Sequence, residues 1–452
     1  MKPNILLIII DGLRADKFFG SSKTSHTPNM DTLRKNGVYF NQAISSSDAT
    51  WICVGGILSS LYPFQSGITR FTNHEKASQI YDVMKKCGYH TFTTTKNTLF
   101  FQALTSKLDG RDLFPVDNGF LFSNFGDVGK TMIARLESKN FKEPWFHYIH
   151  IMDLHRNVDF PLPEQFKDKK FGDNDYERML SGIDFWIGKI LQKINLENTL
   201  VVLTADHGNF LPVKEIGHEL TYIPTLVDNA RKIKKHTPQS LQPAGLKVFE
   251  SIRSMLTPLR AKKLSRELSK EDFRTLLSYG TNSMWDLFDE IIRVPLLFVG
   301  YGISSPKIIG QQVRHVDIFP TVMEIVGIKQ TNRVEGQSLV PLFHNKKVEE
   351  LPAIIQNMTT NPKQPHNVLG VRIPDYKYYR GVKNVKKHVT LFDLKNDPFE
   401  KKNIAESNPE IVVDMEKILQ NIISKSTIEE FEPPDGEKLE DIEAELKRLG
   451  YI

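Results

Sequence analysis

The sequence predicts an α/β protein built on a doubly wound, largely parallel sheet with helices on both faces. Three observations carry that expectation. Residues 5–10 form an unbroken apolar run closed by Asp11-Gly12, the pattern of a strand buried on both faces. A second such run, residues 199–203, ends in Thr204-Ala-Asp-His-Gly208, and a third, residues 294–299, ends at Gly300. Between the first two lie helical stretches at 29–36 and 176–194, the latter repeating Met179, Ile183, Trp186, Ile187, Ile190 and Leu191 at helical spacing.

Composition agrees with a folded chain. The 452 residues are 40% apolar and 25% charged, neither disordered nor membrane-spanning in type. A net charge of +5, from 59 basic and 54 acidic side chains, is too small to argue for nucleic acid, and none is expected. Two cysteines, Cys53 and Cys87, are too few for a disulfide framework. The early apolar run is far shorter than the roughly 20 residues of a membrane span and below the roughly 7 to 15 of a signal-peptide core. A reducing, cytoplasmic location is therefore expected.

After residue 370 the texture changes. Residues 376–382 and 389–394 read as short antiparallel strands, followed by an Asn396-Asp397-Pro398 turn. The expected organisation is a domain over residues 1–370 and a C-terminal subdomain over 371–452. In the tail, Leu439, Ile442, Leu446 and Leu449 share a helical face stopped by Gly450, which suits a helix docked on the body. Residues 231–274 carry twelve Lys or Arg against four acids, an excess of eight that leaves the rest of the chain net negative. That segment reads either as a solvated face or as a basic element meeting an anionic polymer or membrane surface.

Asp11 follows the first apolar run and Asp206-His207 follow the second, which places two carboxylates and an imidazole at one edge of the expected sheet. Oxygen and nitrogen donors of this kind suit one divalent ion, Zn²⁺, Mn²⁺, Mg²⁺ or Ca²⁺. An Asp after a strand is otherwise a turn or cap residue. Their co-location is what points to metal.

The opening Pro3-Asn-Ile-Leu-Leu-Ile-Ile-Ile-Asp-Gly-Leu-Arg-Ala-Asp16 resembles the first strand and metal aspartate of the sulfatase family of the alkaline phosphatase superfamily. Six further segments follow in the family's order: His26-Thr-Pro-Asn-Met-Asp31 with Gly37-Val-Tyr-Phe40, residues 198–208, Arg293-Val-Pro-Leu296, His315-Val-Asp-Ile-Phe-Pro-Thr321, Gly336-Gln-Ser-Leu339, and Leu391-Phe-Asp-Leu-Lys-Asn-Asp-Pro398. The resemblance implies an alkaline-phosphatase-like sheet, a small C-terminal antiparallel subdomain, and hydrolysis or transfer of an anionic phosphate or sulfate ester, glycan- or lipid-linked. It also implies that Asp11, Thr50, Asp206 and His207 hold the metal.

The family's nucleophile lies in a Cys/Ser-x-Pro-x-Arg segment, and its register, counted back from Tyr62-Pro63, lands on Thr50. Neither the Pro nor the Arg is present, and Cys53 falls three residues late. Formylglycine, which would come from a cysteine, is not expected. A threonine ester lacks the geminal-diol exit by which formylglycine expels sulfate, so displacement at phosphorus is favoured. Thr50 thus resembles the phosphodiesterase, phosphonate-ester and phosphoglycerol or phosphoethanolamine transferase branches. A threonine hydroxyl is a poor nucleophile at neutral pH, and a neighbouring cation activates it. Its other reading is a buried or capping hydroxyl ahead of a helix.

The resemblance extends to the substrate side. Lys96 is in register with a family lysine that contacts the ester, and otherwise reads as an exposed lysine. In Trp145-Phe-His-Tyr-Ile-His-Ile-Met-Asp-Leu-His155, the family's strand implies that His155 contacts the ester or protonates the leaving group, with His150 a further substrate contact and Asp153 beside them. His150 also reads as a satisfied core histidine. His218 lies near a family Gly-Glu-His-Gly loop and reads as a substrate contact or as loop surface. Two rivals remain at this point: a true sulfuric ester hydrolase, and a non-catalytic relative that binds polyanionic glycan or lipid.

Overall fold

Strand formation follows the burial that each apolar run demands. In the computed structural model, β1 (Asn4–Ile10) is buried at every position. A strand covered on both faces has no solvent side on which polar residues could alternate, which is why the run is unbroken Ile and Leu. β1 lies between β5 (Trp145–Ile151) and β6 (Thr199–Thr204), parallel to both, with Ile9 paired to His150 on one side and to Thr204 on the other. β3 (His90–Lys96) and β4 (Gly110–Phe114) continue the parallel set beyond β5.

On the other side come β7 (Arg293–Gly300), β2 (Val38–Ile44), β8 (Lys307–Ile309) and β9 (Val313–Arg314). The sheet has nine strands among the described residues, in the order β4-β3-β5-β1-β6-β7-β2-β8, with β9 also pairing β2. β7 looks like β1 in composition, yet it runs antiparallel to both β6 and β2. Burial on two faces dictates apolar content, and content carries no direction. The sheet is therefore mixed rather than all parallel.

Helices cover the faces. Pro28–Asn36 begins with proline at the position where a missing N–H costs nothing. Asp175–Leu191 is capped by Asn174, whose side chain accepts from the Glu177 amide, and it buries Met179, Ile183, Trp186, Ile187 and Ile190. The two helices are joined by Asp184, which accepts from the Asn29 and Met30 amides at 3.2 and 2.7 Å.

The smaller antiparallel sheet runs β10 (Ala353–Gln356), β11 (Val368–Arg372), β12 (Tyr376–Gly381) and β13 (Thr390–Asp393). Helix Pro409–Ser424 packs Met415 and Leu419 against Ile354, Val371, Tyr378 and Leu391 to give it its own core. The texture change after residue 370 marks β12 and β13, while β10 and the start of β11 precede it. Charge ties this sheet to the approach of β7: Asp289 pairs with Arg372 at 2.9 Å and with the fully buried Lys377 at 2.7 Å.

The structure describes residues 2–66, 79–115, 127–138, 141–155, 162–209, 287–329, 333–357 and 368–425. His218, the basic segment 231–274 and the tail helix expected at 436–449 lie outside the described residues. Among the described residues, no helix is long and apolar enough to cross a membrane.

Candidate metal centre and active site

Four neighbouring parallel strands, β3, β5, β1 and β6, end at one edge of the sheet, and each delivers polar groups there. Lys96 closes β3, His150 lies one residue from the end of β5 with His155 just beyond, Asp11 follows β1, and Asp206-His207 follow β6. Strand ends of this kind are where open α/β sheets place ligands. Asp11 and Asp206 are wholly buried.

Backbone groups fix the two carboxylates unevenly. Gly12, at φ +71°, turns the chain so that its amide donates to Asp206 Oδ1 at 3.2 Å, and the His207 amide donates to the same oxygen at 2.7 Å. Asp206 Oδ2 and Asp11 Oδ1 receive no hydrogen bond among the described residues. His207 Nδ1 lies 2.7 Å from the Gly208 carbonyl, which can only accept, so Nδ1 carries a hydrogen and, in the neutral ring, Nε2 is the bare nitrogen. Nε2 faces Asp206 Oδ2 at 3.5 Å. Asp11, Asp206 and His207 each bring one ligand atom to within 4.8 Å of the others.

Charge makes the same point. Burial raises the Asp11 carboxyl, but His155, with His150 and His207, outweighs it and holds that group well below the usual carboxylate range. Burial and then the Asp11 charge push Asp206 up. Burial opposes protonation of His207, and Asp206 and Asp11 overcome it, so that ring is raised. Two buried carboxylates with bare oxygens beside a bare imidazole nitrogen form a donor set that a divalent cation satisfies. These residues fit the metal that the sequence implies, and the set does not select among Zn²⁺, Mn²⁺, Mg²⁺ and Ca²⁺.

Thr50 opens helix Thr50–Ser59, behind an Ala49 N-cap that makes no side-chain cap. Its hydroxyl donates to Asp11 Oδ2 at 3.3 Å and lies 3.4 Å from His207 Nε2. The hydroxyl thus faces the carboxylates and imidazole of the cluster. One turn later, Cys53 donates to the Ser47 carbonyl at 3.1 Å. Burial, with Asp206 and Asp48 nearby, pushes its thiol far up. A protonated thiol engaged by backbone is no nucleophile. Buried Ile52 and Val54 occupy the positions where the family pattern has Pro and Arg.

Lys96 is 1% exposed, so it is not a surface lysine. His155 is lowered to about 4 by burial, against the Asp11 charge and with the help of Lys96. That mutual influence brings Lys96, His155 and Asp11 into one electrostatic neighbourhood. His150 places Nε2 3.5 Å from Asp11 Oδ2 and Nδ1 2.7 Å from the Tyr148 hydroxyl. Sequence reasoning passed over Tyr148. The i, i+2 spacing to His150 puts both side chains on the same strand face and was the available signal.

The sulfatase family model matches residues 3–328, and that of the N-sulphoglucosamine sulphohydrolase C-terminal region matches residues 280–425. Arylsulfatase K of Danio rerio is 30% identical over 145 residues, a stretch that spans 31% of this chain and 28% of that protein. The ulvan-active sulfatase of Formosa agariphila is 22% identical over 493 residues, covering 94% of this chain and 80% of that protein. Among solved structures, the phosphonate monoester hydrolase of Agrobacterium radiobacter superposes with a TM-score of 0.63 at 15% identity, covering 94% of this chain and 96% of that one.

Proposed function

This chain belongs to the sulfatase family of the alkaline phosphatase superfamily, and we propose that it is a metal-dependent hydrolase or transferase of phosphate esters with Thr50 as nucleophile. The observation that carries this reading is the Thr50 hydroxyl 3.3 Å from Asp11 Oδ2, while Cys53 is turned to a backbone carbonyl. Asp11, Thr50, Asp206 and His207 would hold its divalent ion. A divalent ion held there supplies the positive charge that polarises the ester and acidifies a neighbouring hydroxyl.

The chain's own groups do the rest. The Thr50 proton is lost to solvent as Oγ1 bonds to phosphorus, and the bond from phosphorus to the departing alkoxide breaks. Lys96 balances charge on the transferred group. An anionic ester adds the negative charge that draws a proton onto His155, which gives it to the alkoxide. Water then attacks phosphorus in the threonine ester and restores the Thr50 hydroxyl, and an alcohol in its place would give transfer. A threonine sulfate has no second hydroxyl with which to expel sulfate, which favours phosphorus. The ulvan-active relative supports a glycan-linked ester as the substrate class.

The family match keeps a true sulfatase as the second reading. Assays of bis(4-nitrophenyl) phosphate and 4-nitrophenyl sulfate on the Mn²⁺-loaded protein separate the two. We expect phosphodiester turnover to exceed sulfate turnover by about tenfold or more, and Thr50→Ala to lower it by about 10³-fold. Parent-rate phosphodiester cleavage by Thr50→Ala would remove the nucleophile assignment, and a preference for sulfate would remove phosphorus.

A further inference from the structure

Tyr148 and His150 stand two residues apart on β5, so their side chains project from one face of the strand. The Tyr148 hydroxyl lies 2.7 Å from His150 Nδ1, and His150 Nε2 lies 3.5 Å from Asp11 Oδ2. A carboxylate can only accept, so Nε2 carries a hydrogen toward Asp11. In the neutral ring Nδ1 is then bare, and the Tyr148 O–H donates to it. The distances rank the two contacts: 2.7 Å is a full hydrogen bond, whereas 3.5 Å is long and is lost on a small rotation of the ring. The Phe101 ring, with centroids 4.9 Å apart, packs against the imidazole but supplies no direction about its axis. Aim comes from Tyr148.

We propose that Tyr148 is a positioning residue for the divalent-ion site: through His150 it fixes Asp11 Oδ2, leaving Asp11 Oδ1 for the ion. Metal-binding carboxylates depend in this way on partners behind them. The arrangement also explains why Asp11 Oδ2 is shared between Thr50 and His150 while Oδ1 receives no hydrogen bond among the described residues. This inference rests on the reading of Asp11, Asp206 and His207 as the ion site, and it adds a residue that touches neither ion nor ester.

The test is calorimetric titration of Mn²⁺ into the parent chain, Tyr148→Phe, His150→Phe and the double variant. Tyr148→Phe keeps the ring and loses only the hydroxyl. We expect it to raise the Mn²⁺ Kd about tenfold. The double variant binds no more weakly than His150→Phe alone, because Tyr148 acts only through that ring. His150→Gln, which keeps an N–H near the Nε2 position, binds more tightly than His150→Phe. A parent-like Kd for Tyr148→Phe, or losses that multiply in the double variant, overturns the positioning role while leaving the ion site intact. A parent chain that takes up no stoichiometric Mn²⁺ overturns the ion site itself, and this inference with it.

Discussion

At the scale of single residues, Asp206 shows how the backbone and the ion divide one carboxylate. Oδ1 accepts from the Gly12 and His207 amides, and Oδ2 receives no hydrogen bond among the described residues. Asp206→Asn keeps an acceptor for those amides and replaces the bare oxygen with an N–H₂ group. The variant should fold with a parent-like urea midpoint and lose about a hundredfold or more in Mn²⁺ affinity. An unchanged Mn²⁺ Kd would deny Asp206 its ligand role. Asp11, Asp206 and His207 were legible as a cluster because they follow the first two apolar runs within a few residues. Tyr148 was not, since a tyrosine in a buried strand reads as packing until its hydroxyl has a partner. Lys96 was legible by register only, and its burial, against the usual habit of lysine, is a product of the fold.

Among elements, the sharpest constraint is the approach of the chain ahead of β7 to the turn after β6. The Gly208 amide donates to the Ile291 carbonyl at 2.6 Å, and a Cβ at Gly208 would lie 1.9 Å from the Glu290 carbonyl oxygen. Gly208→Ala must push the two segments apart. Overpacking of this kind costs about 1–3 kcal/mol. Because the Gly208 carbonyl also orients the His207 ring, Mn²⁺ affinity should fall along with the urea midpoint. A stable Gly208→Ala protein with parent affinity would show that the turn tolerates the displacement. The helices Pro28–Asn36 and Asp175–Leu191 lie within a few residues of where their periodicity put them. Strand direction was not legible, since β7 and β1 share their apolar content and differ only in the pairing imposed by the whole sheet.

For the whole molecule, buried ionisable groups set the response to pH and to lost partners. Burial, with Arg135 nearby, lowers His147 to about 3, and burial lowers His315 likewise to about 3. Unfolded histidine titrates near 6.5, so below that pH the unfolded chain binds protons that the folded chain refuses. The stability these rings allow is complete above about 6.5 and is lost as pH falls toward about 3, at about 1.4 kcal/mol per unit for each ring. His147→Gln, which can still meet the Thr94 hydroxyl, should flatten the fall of the urea midpoint across that window. The same slope in parent and variant would exclude His147 as a source. Lys377→Met should be costly above about pH 7, where both carboxylates are charged: it strips a buried partner from Asp289 and Glu400 and should lower the urea midpoint by the equivalent of about 3–5 kcal/mol.

The reversed course of β7 brings its first residues, rather than its last, to the rim where the ion would sit. Arg293 opens that strand, and Asp289, four residues earlier, is gripped by Arg372 and Lys377 from β11 and β12. The smaller sheet thereby braces the chain that enters β7. A chain trimmed after residue 328 would keep every side chain proposed to face the ion or the ester and still lose Arg372 and Lys377, which hold Asp289, so turnover of the trimmed chain should fall as far as that of a Thr50 variant.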